Sequence, residues 1–298
     1  MEKIKTANNF IYQYLIKIRK NYKKLEKKLK KMNVKNNYQI KPDFNTEPLV
    51  TAEKNIKYVK SAKKISDFSS SELFIMSYQR GFISFVRDNF DTEKISFMGA
   101  NLYYFTYKNI RIGVAAEFGI GAPMAALVME VLCTLGAKKI ISVGSAGSLQ
   151  KDIDIGEIVI IDKALREEGT SFHYLEGIKN NNQFAFPSQK LTKELIFNCE
   201  KLKIAHTVGA GWTTDAPYRE TIGKVESYQK KGILTVDMEA SALFAVGDYK
   251  KIEVASAFTI SDSLSEEMWS PKFDSKKTQQ GLEKLFNIAA DSLLGIET

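Results

Sequence analysis

The chain is poor in the residues that build covalent frameworks and metal centres: two cysteines, two histidines and two tryptophans in 298 residues. Cys133 sits in an apolar run and Cys199 in a helical pattern, and neither belongs to a CxxC pair. A disulfide scaffold is excluded, and free thiols point to a reducing, cytoplasmic compartment. Neither histidine has a partner at HExxH or similar spacing, so no metal is expected. No run approaches the roughly 18 apolar residues of a membrane span. The basic N-terminus lacks the apolar core of a signal peptide, because Gln13 and Lys17 interrupt residues 10–18. Internal repeats and Pro/Gly/Ser-rich linkers are absent as well. A soluble chain with no membrane partner is expected.

Charge is present, and it is unevenly placed. The whole chain carries 43 Lys+Arg against 35 Asp+Glu, a net +8. Residues 1–41 hold 13 of the basic groups and only Glu2 and Glu26 as acids, which is +11; the remaining 257 residues therefore carry −3. The basic arm, residues 1–37, reads as one charged helix with Ile11, Tyr14, Leu15 and Ile18 as a weak apolar stripe. Such an arm is either an electrostatic tether to RNA or an anionic surface, or a solvated extension. It has no aromatic interleaving and no RNA-binding signature, so a nucleic-acid partner is not expected.

From residue 38 onward, short β-rich runs alternate with helical patterns of ten to fifteen residues. Residues 71–89 read as a helix, 103–107 and 110–115 as a hairpin turning at Lys108-Asn109, and 122–135 as an apolar helix. Strands are expected at 139–143, 157–161, 233–236 and 253–260, and helices at 188–202, 239–247 and 281–294. This alternation predicts a single α/β domain, residues 38–298, with a sheet sandwiched by helices.

Four segments, each following a strand, could carry chemistry. Residues 117–123, EFGIGAP, place Gly119 and Gly121 before a helix, where exposed N–H groups and the dipole suit an oxyanion; a plain strand–helix turn would look the same. Met124 stands where a Rossmann fingerprint needs its third glycine. Residues 143–148, VGSAGS, offer small residues and hydroxyls at a strand end, where open α/β sheets bind ligands. In 235–242, TVDMEASA, Glu239 either complements a helix dipole or accepts hydrogen bonds from vicinal hydroxyls, with Met238 packing on a sugar face. Asp262, within ISDS at 260–263, is either a helix cap or a general acid.

In this order and spacing the segments resemble the nucleoside phosphorylase superfamily, which holds purine nucleoside phosphorylases, uridine phosphorylases and related nucleosidases. The likeness spans about residues 38–275. It rests on GIGAP at 119–123, VGSAG at 143–147, VDMEASALF at 236–244 and SD at 261–262. EEGTSFHYL at 167–175 and WTTDAPYRET at 212–221 look like the uridine phosphorylase branch. The resemblance implies a three-layer α/β/α domain with a mixed, partly barrel-like sheet. It also implies a uridine phosphorylase-like activity, cleavage of an N-glycosidic bond by phosphate to give free base and ribose 1-phosphate. No cofactor is implied beyond phosphate as cosubstrate, and assembly as a homo-oligomer is usual in the family.

The roles carried over are specific. Glu239 matches the carboxylate that holds the ribose hydroxyls, Met238 the methionine beneath the sugar, and Asp262, beside Ser261, the acid that protonates a purine. Gly119, Gly121 and Ser145 match phosphate positions. Arg219 is the one residue in 215–220 with the chemistry to hold a uracil edge. The family's arginine before VGSAG is replaced by Ser142, its N-terminal Gly-Asp-Pro-x-Arg loop is not recognisable, and Pro217 stands where a base-stacking aromatic is common. Losing guanidinium forks weakens phosphate binding, so a nucleosidase using water and a non-catalytic nucleoside-binding module stay open. His173 either faces the pocket or anchors a loop, and Trp212 either stacks on a base or fills the core.

Overall fold

The computed structural model describes residues 20, 43–44, 46–63, 70–97, 99–175, 183–266 and 268–295. The predicted basic helix therefore lies, apart from Lys20, outside the described residues. Contacts divide the chain into two units, Met1–Asp43 and Phe44–Thr298, and the second holds the sheet and the helices packed on it.

Its elements are, in order, α1 (Ala52–Lys63), β1 (Leu73–Ser77), α2 (Arg80–Asn89), β2 (Glu93–Phe97), β3 (Ala100–Tyr107), β4 (Ile110–Ala116), α3 (Ala122–Thr134), β5 (Lys139–Ser148), β6 (Ile158–Glu167), β7 (Phe184–Ala185) and α4 (Gln189–Lys201). There follow β8 (His206–Thr214), α5 (Ile222–Lys230), β9 (Thr235–Asp237), α6 (Ala240–Lys250), β10 (Glu253–Ser263), β11 (Ser270–Pro271) and α7 (Lys276–Leu294). Single 3₁₀ turns occupy Ser171–His173 and Pro217–Arg219.

Among the described residues one mixed sheet of 11 strands runs β11-β10-β6-β8-β9-β5-β1-β4-β3-β2, with β7 on β6. A second pairing of β10 with β5 closes β10-β6-β8-β9-β5 into a five-stranded barrel. The expected three-layer, partly barrel-like architecture is the one observed. Alternation along β5 shows how the layers form: Ile140 joins the cluster packed by α1, α3 and α6, while Ile141 and Val143 join the cluster packed by α2, α4 and α7. Among the described residues no helix is long and apolar enough to cross a membrane.

Three expectations need correction. Residues 71–89 are not one helix but β1, a short connection and α2. Leu73 to Ser77 is an apolar run, and its burial on both faces between β4 and β5 overrides the helical spacing. The strand expected at 139–143 does not end there: β5 continues through VGSAGS to Ser148, pairing with β10 as far as Ser263. Its backbone groups are engaged in the ladder, and side chains are what it offers to a ligand. His206–Thr214, to which the sequence pattern assigns no element, is β8, a member of the barrel.

The hairpin at Lys108-Asn109 is present, with both residues at positive φ (49° and 65°), as a tight two-residue turn requires. Ser188 caps α4 by accepting the Leu191 N–H at 3.2 Å.

Candidate active site

The barrel strands end around a cavity of about 620 Å³, large enough for a nucleoside with an anion beside it. Its walls come from elements far apart in sequence: Tyr78 to Gly81 after β1, Ser145 to Gly147 on β5, Glu220 before α5, Val236 to Glu239 at the end of β9 and just past it, and Ser261, Asp262 and Trp269 around β10.

Glu239 is buried at the start of α6, where its Oε1 accepts the Gly121 N–H at 2.6 Å. Gly121 makes this possible by adopting φ +100°, a backbone geometry costly for any other residue, immediately before α3 with Pro123 in its first turn. The amide expected to face an oxyanion therefore serves the Glu239 carboxyl. Burial, reinforced by the charge of Asp237, pushes the Glu239 carboxyl up to about 8, against the opposing pull of the Gly121 and Met238 N–H groups. Asp237 accepts the Glu239 and Ala240 N–H groups at 2.8 and 2.7 Å and the Thr213 hydroxyl at 3.1 Å, all on Oδ1. Among the described residues its Oδ2 is buried without a partner, and burial pushes this carboxyl up to about 6.

These shifts make a prediction about stability. A carboxyl raised on folding stabilises the native state fully below its unfolded value, and that contribution is lost as pH rises through the folded value. The window here runs from about 4 to about 8, set by Asp237 and Glu239. Thermal unfolding should occur at a higher temperature at pH 5.5 than at pH 8.5, and Glu239→Gln should flatten that difference. An equal slope in both proteins would overturn the assignment.

Asp262 lies near the end of β10, where the register against β5 shifts between Ile260 and Asp262. Such a bulge re-aims the side chains that follow it. The carboxyl is 8% exposed and reaches the cavity. Its Oδ1 accepts the Ser261 hydroxyl at 2.7 Å, and its Oδ2 accepts the Trp269 indole N–H at 2.8 Å. Gly147 leaves room for it: a Cβ there would lie 3.0 Å from Asp262 Oδ2 and 2.5 Å from Leu264 Cδ1. Glu220 lines the same cavity, half-buried. Burial first, and Asp262 second, push its carboxyl up to about 7.

A separate polar group gathers at Ser145. Gln79 Nε2 donates to Ser145 Oγ at 3.0 Å, and Tyr78 and Ser142 share a hydroxyl hydrogen bond of 3.0 Å. Ser142, standing where an arginine is usual, is thus a buried partner of Tyr78 and not a ligand-facing group. Arg80, exposed at the start of α2, lines the cavity beside them. Sequence reasoning misses this cation because it falls in the stretch that reads as one helix. The signal that could find it is the apolar run 73–77, ending just before Arg80-Gly81.

The other expected residues divide. Met238, Ser145, Ser261, Asp262 and Glu239 line the cavity together, whereas Gly119, Gly121, Arg219 and His173 are not among its lining residues; Ile120 is. Arg219 and His173 are exposed. The segment carrying His173 is held from within: Glu168 accepts the Thr170 and Ser171 N–H groups at 2.5 and 2.9 Å and the Ser241 hydroxyl of α6 at 2.8 Å. Arg166 donates to Ser171 Oγ at 2.9 Å and to the Leu175 carbonyl at 3.2 Å. Trp212 is fully buried against Tyr228, a core residue and not a stacking platform.

Residues 80–294 match the phosphorylase superfamily. A purine nucleoside phosphorylase of the DeoD type from Exiguobacterium is 29% identical over 192 residues, covering 64% of this chain and 78% of its own. A guanosine phosphorylase from Halorubrum lacusprofundi is 31% identical over 146 residues, covering 49% of this chain and 59% of its own. Among solved structures, a uridine phosphorylase from Vibrio fischeri superimposes with a TM-score of 0.66 at 29% identity, covering 75% of this chain and 91% of that one. The purine nucleoside phosphorylase of Toxoplasma gondii shares the fold, with a TM-score of 0.67 at 21% identity over 76% of this chain and 91% of that one.

Proposed function

The chain belongs to the phosphorylase superfamily, and from that premise we propose that it is a pentosyltransferase that cleaves purine nucleosides with phosphate. The products are the free base and ribose 1-phosphate, and no cofactor takes part. The observation that carries the purine reading is the pair of carboxyl groups, Glu220 and Asp262, in a wall that also holds Trp269 and Leu264. A uracil edge presents two carbonyl acceptors around one N–H and asks for donors. Arg219, the one donor expected for it, does not line the cavity. A 6-oxopurine presents ring N–H and, in guanine, an amino group, which a carboxylate accepts in pairs. Asp262 is then within the same wall as the imidazole side of such a base, where a general acid assists departure.

Glu239 holds the ribose hydroxyls above Met238, and in its ionised form, which gains as pH rises through about 8, its charge stabilises the positive charge that develops on the sugar. Phosphate is read as the nucleophile because Arg80 and the hydroxyl of Ser145 line the cavity together. Exposed Ile120 and Tyr218 at the mouth support assembly as a homo-oligomer, and the two free cysteines fit a cytoplasmic setting.

The test is initial-rate measurement with guanosine, inosine, adenosine and uridine, with and without phosphate. Turnover of 6-oxopurine nucleosides that requires phosphate is expected. Equal turnover without phosphate would replace the phosphorylase reading by a nucleosidase, and preference for uridine would overturn the purine reading. Arg80→Ala is expected to raise KM for phosphate by about tenfold to a hundredfold, the worth of one charge-assisted contact, with KM for the nucleoside within about twofold. A phosphate KM unchanged by the substitution would remove Arg80 from the anion site.

A further inference from the structure

We propose that Trp269 is a positioning residue for the acid step, holding the Asp262 carboxyl in the orientation from which it reaches the leaving base. The inference rests on the purine phosphorylase reading above and goes beyond it. Its basis is geometric. β10 ends at Ser263, the chain turns, and β11 returns antiparallel with Asp262 opposite Pro271 and Ser263 opposite Ser270. That short return brings Trp269 back onto the residue from which the strand departed. Its indole N–H donates to Asp262 Oδ2 at 2.8 Å, while the Ser261 hydroxyl takes Oδ1 at 2.7 Å.

An indole N–H is a donor only, with a direction fixed by the ring plane. The ring is steadied in turn by Phe273, with centroids 5.9 Å apart. Trp269 remains 59% exposed, so burial of the ring does not explain its placement; the hydrogen bond to a nearly buried carboxyl does. Together with Leu264 and Glu220 it also lines an adjoining cavity of about 310 Å³. The indole is thus a partition between two spaces, the wall along which a base reaching Asp262 lies.

In the step it serves, the C1′–N9 bond breaks and its electron pair goes to the base. A proton carried by Asp262 on a lone pair not used by Ser261 or Trp269 passes to N7. A phosphate oxygen forms the new bond to C1′, and the Asp262 carboxylate regains a proton from solvent. With the two oxygens tied to different donors, the carboxyl plane cannot rotate without breaking a hydrogen bond, and transfer requires no search for alignment.

The experiment is Trp269→Phe, which keeps an aromatic face and removes the N–H, assayed with guanosine and with N7-methylguanosine. The methylated base already carries its positive charge and leaves without a proton. The expected result is a fall of about tenfold in kcat for guanosine, with guanosine KM changed by less than about threefold, so that the guanosine to N7-methylguanosine ratio of kcat drops by at least about fivefold. Trp212 is then the sole remaining tryptophan, and its buried emission reports whether the variant is folded. Equal losses on both substrates, or no loss on either, would overturn the positioning role while leaving the function intact. No cleavage of any nucleoside by the unaltered protein would instead overturn the function itself, and the proposal with it.

Discussion

Replacing Asp262 with asparagine is expected to lower kcat for guanosine or inosine phosphorolysis by about 10²- to 10³-fold, within the range that general acid catalysis supplies. Departure of a purine as an anion is slow, and Asp262 is the cavity-wall carboxyl proposed to hand N7 a proton. The amide is of the same size, so its fit beside Gly147 is preserved. It offers one acceptor oxygen where the native side chain uses two, for the Ser261 hydroxyl and the Trp269 N–H. Part of the loss is therefore misalignment, and part is the missing proton. N7-methylguanosine separates the two, because a substrate that needs no proton recovers whatever the proton was worth. Steady-state kinetics on the two substrates measure both; a guanosine loss of less than about tenfold would remove Asp262 from the acid role.

The second large effect belongs to Glu239. Substitution by glutamine is expected to reduce kcat/KM for the nucleoside by about 10²- to 10³-fold, the scale seen when one preorganised electrostatic group is deleted from a buried site. The amide oxygen can still accept the Gly121 N–H, so the turn before α3 survives; what goes is the charge. Because the native carboxyl is pushed up to about 8 by burial and Asp237, it destabilises the folded state as pH rises, and the neutral amide does not. Glu239→Gln should therefore unfold no earlier than the unaltered protein at pH 8.5 while being nearly inactive. A calorimetric scan beside the kinetic assay checks both halves. An inactive variant that is also much less stable would mean that Glu239 is structural.

Legibility in the linear chain varies from residue to residue. Asp262, Glu239, Met238 and Ser145 can be found because each sits in a short motif at a strand end, where local sequence carries the signal. Arg80 and Tyr78 escape because helical and strand periodicity conflict in 71–89, and burial between β4 and β5 decides in favour of the strand. Gly121 reads as an oxyanion donor, but its N–H is taken by a carboxylate 118 positions away. Arg219 and Glu220 are neighbours in sequence, and only the 3₁₀ turn at Pro217–Arg219 settles that the acid, not the base, lines the cavity.

The net charge of +8 divides between an arm and a mildly acidic body by counting alone, since charge adds residue by residue. The alternation of strands and helices and the order of the motifs are likewise properties of the linear chain, because side-chain period and turn chemistry act over a few residues. Closure of the barrel is not. Pairing of β10 with β5 joins strands separated by more than a hundred residues, and it alone brings Ser145, Gly147 and Asp262 to one wall. The protonation of Glu220, Asp237 and Glu239 is also decided there: a carboxyl's charge state answers to the water it loses and the charges it meets, and both are set by neighbours that the sequence does not place beside it.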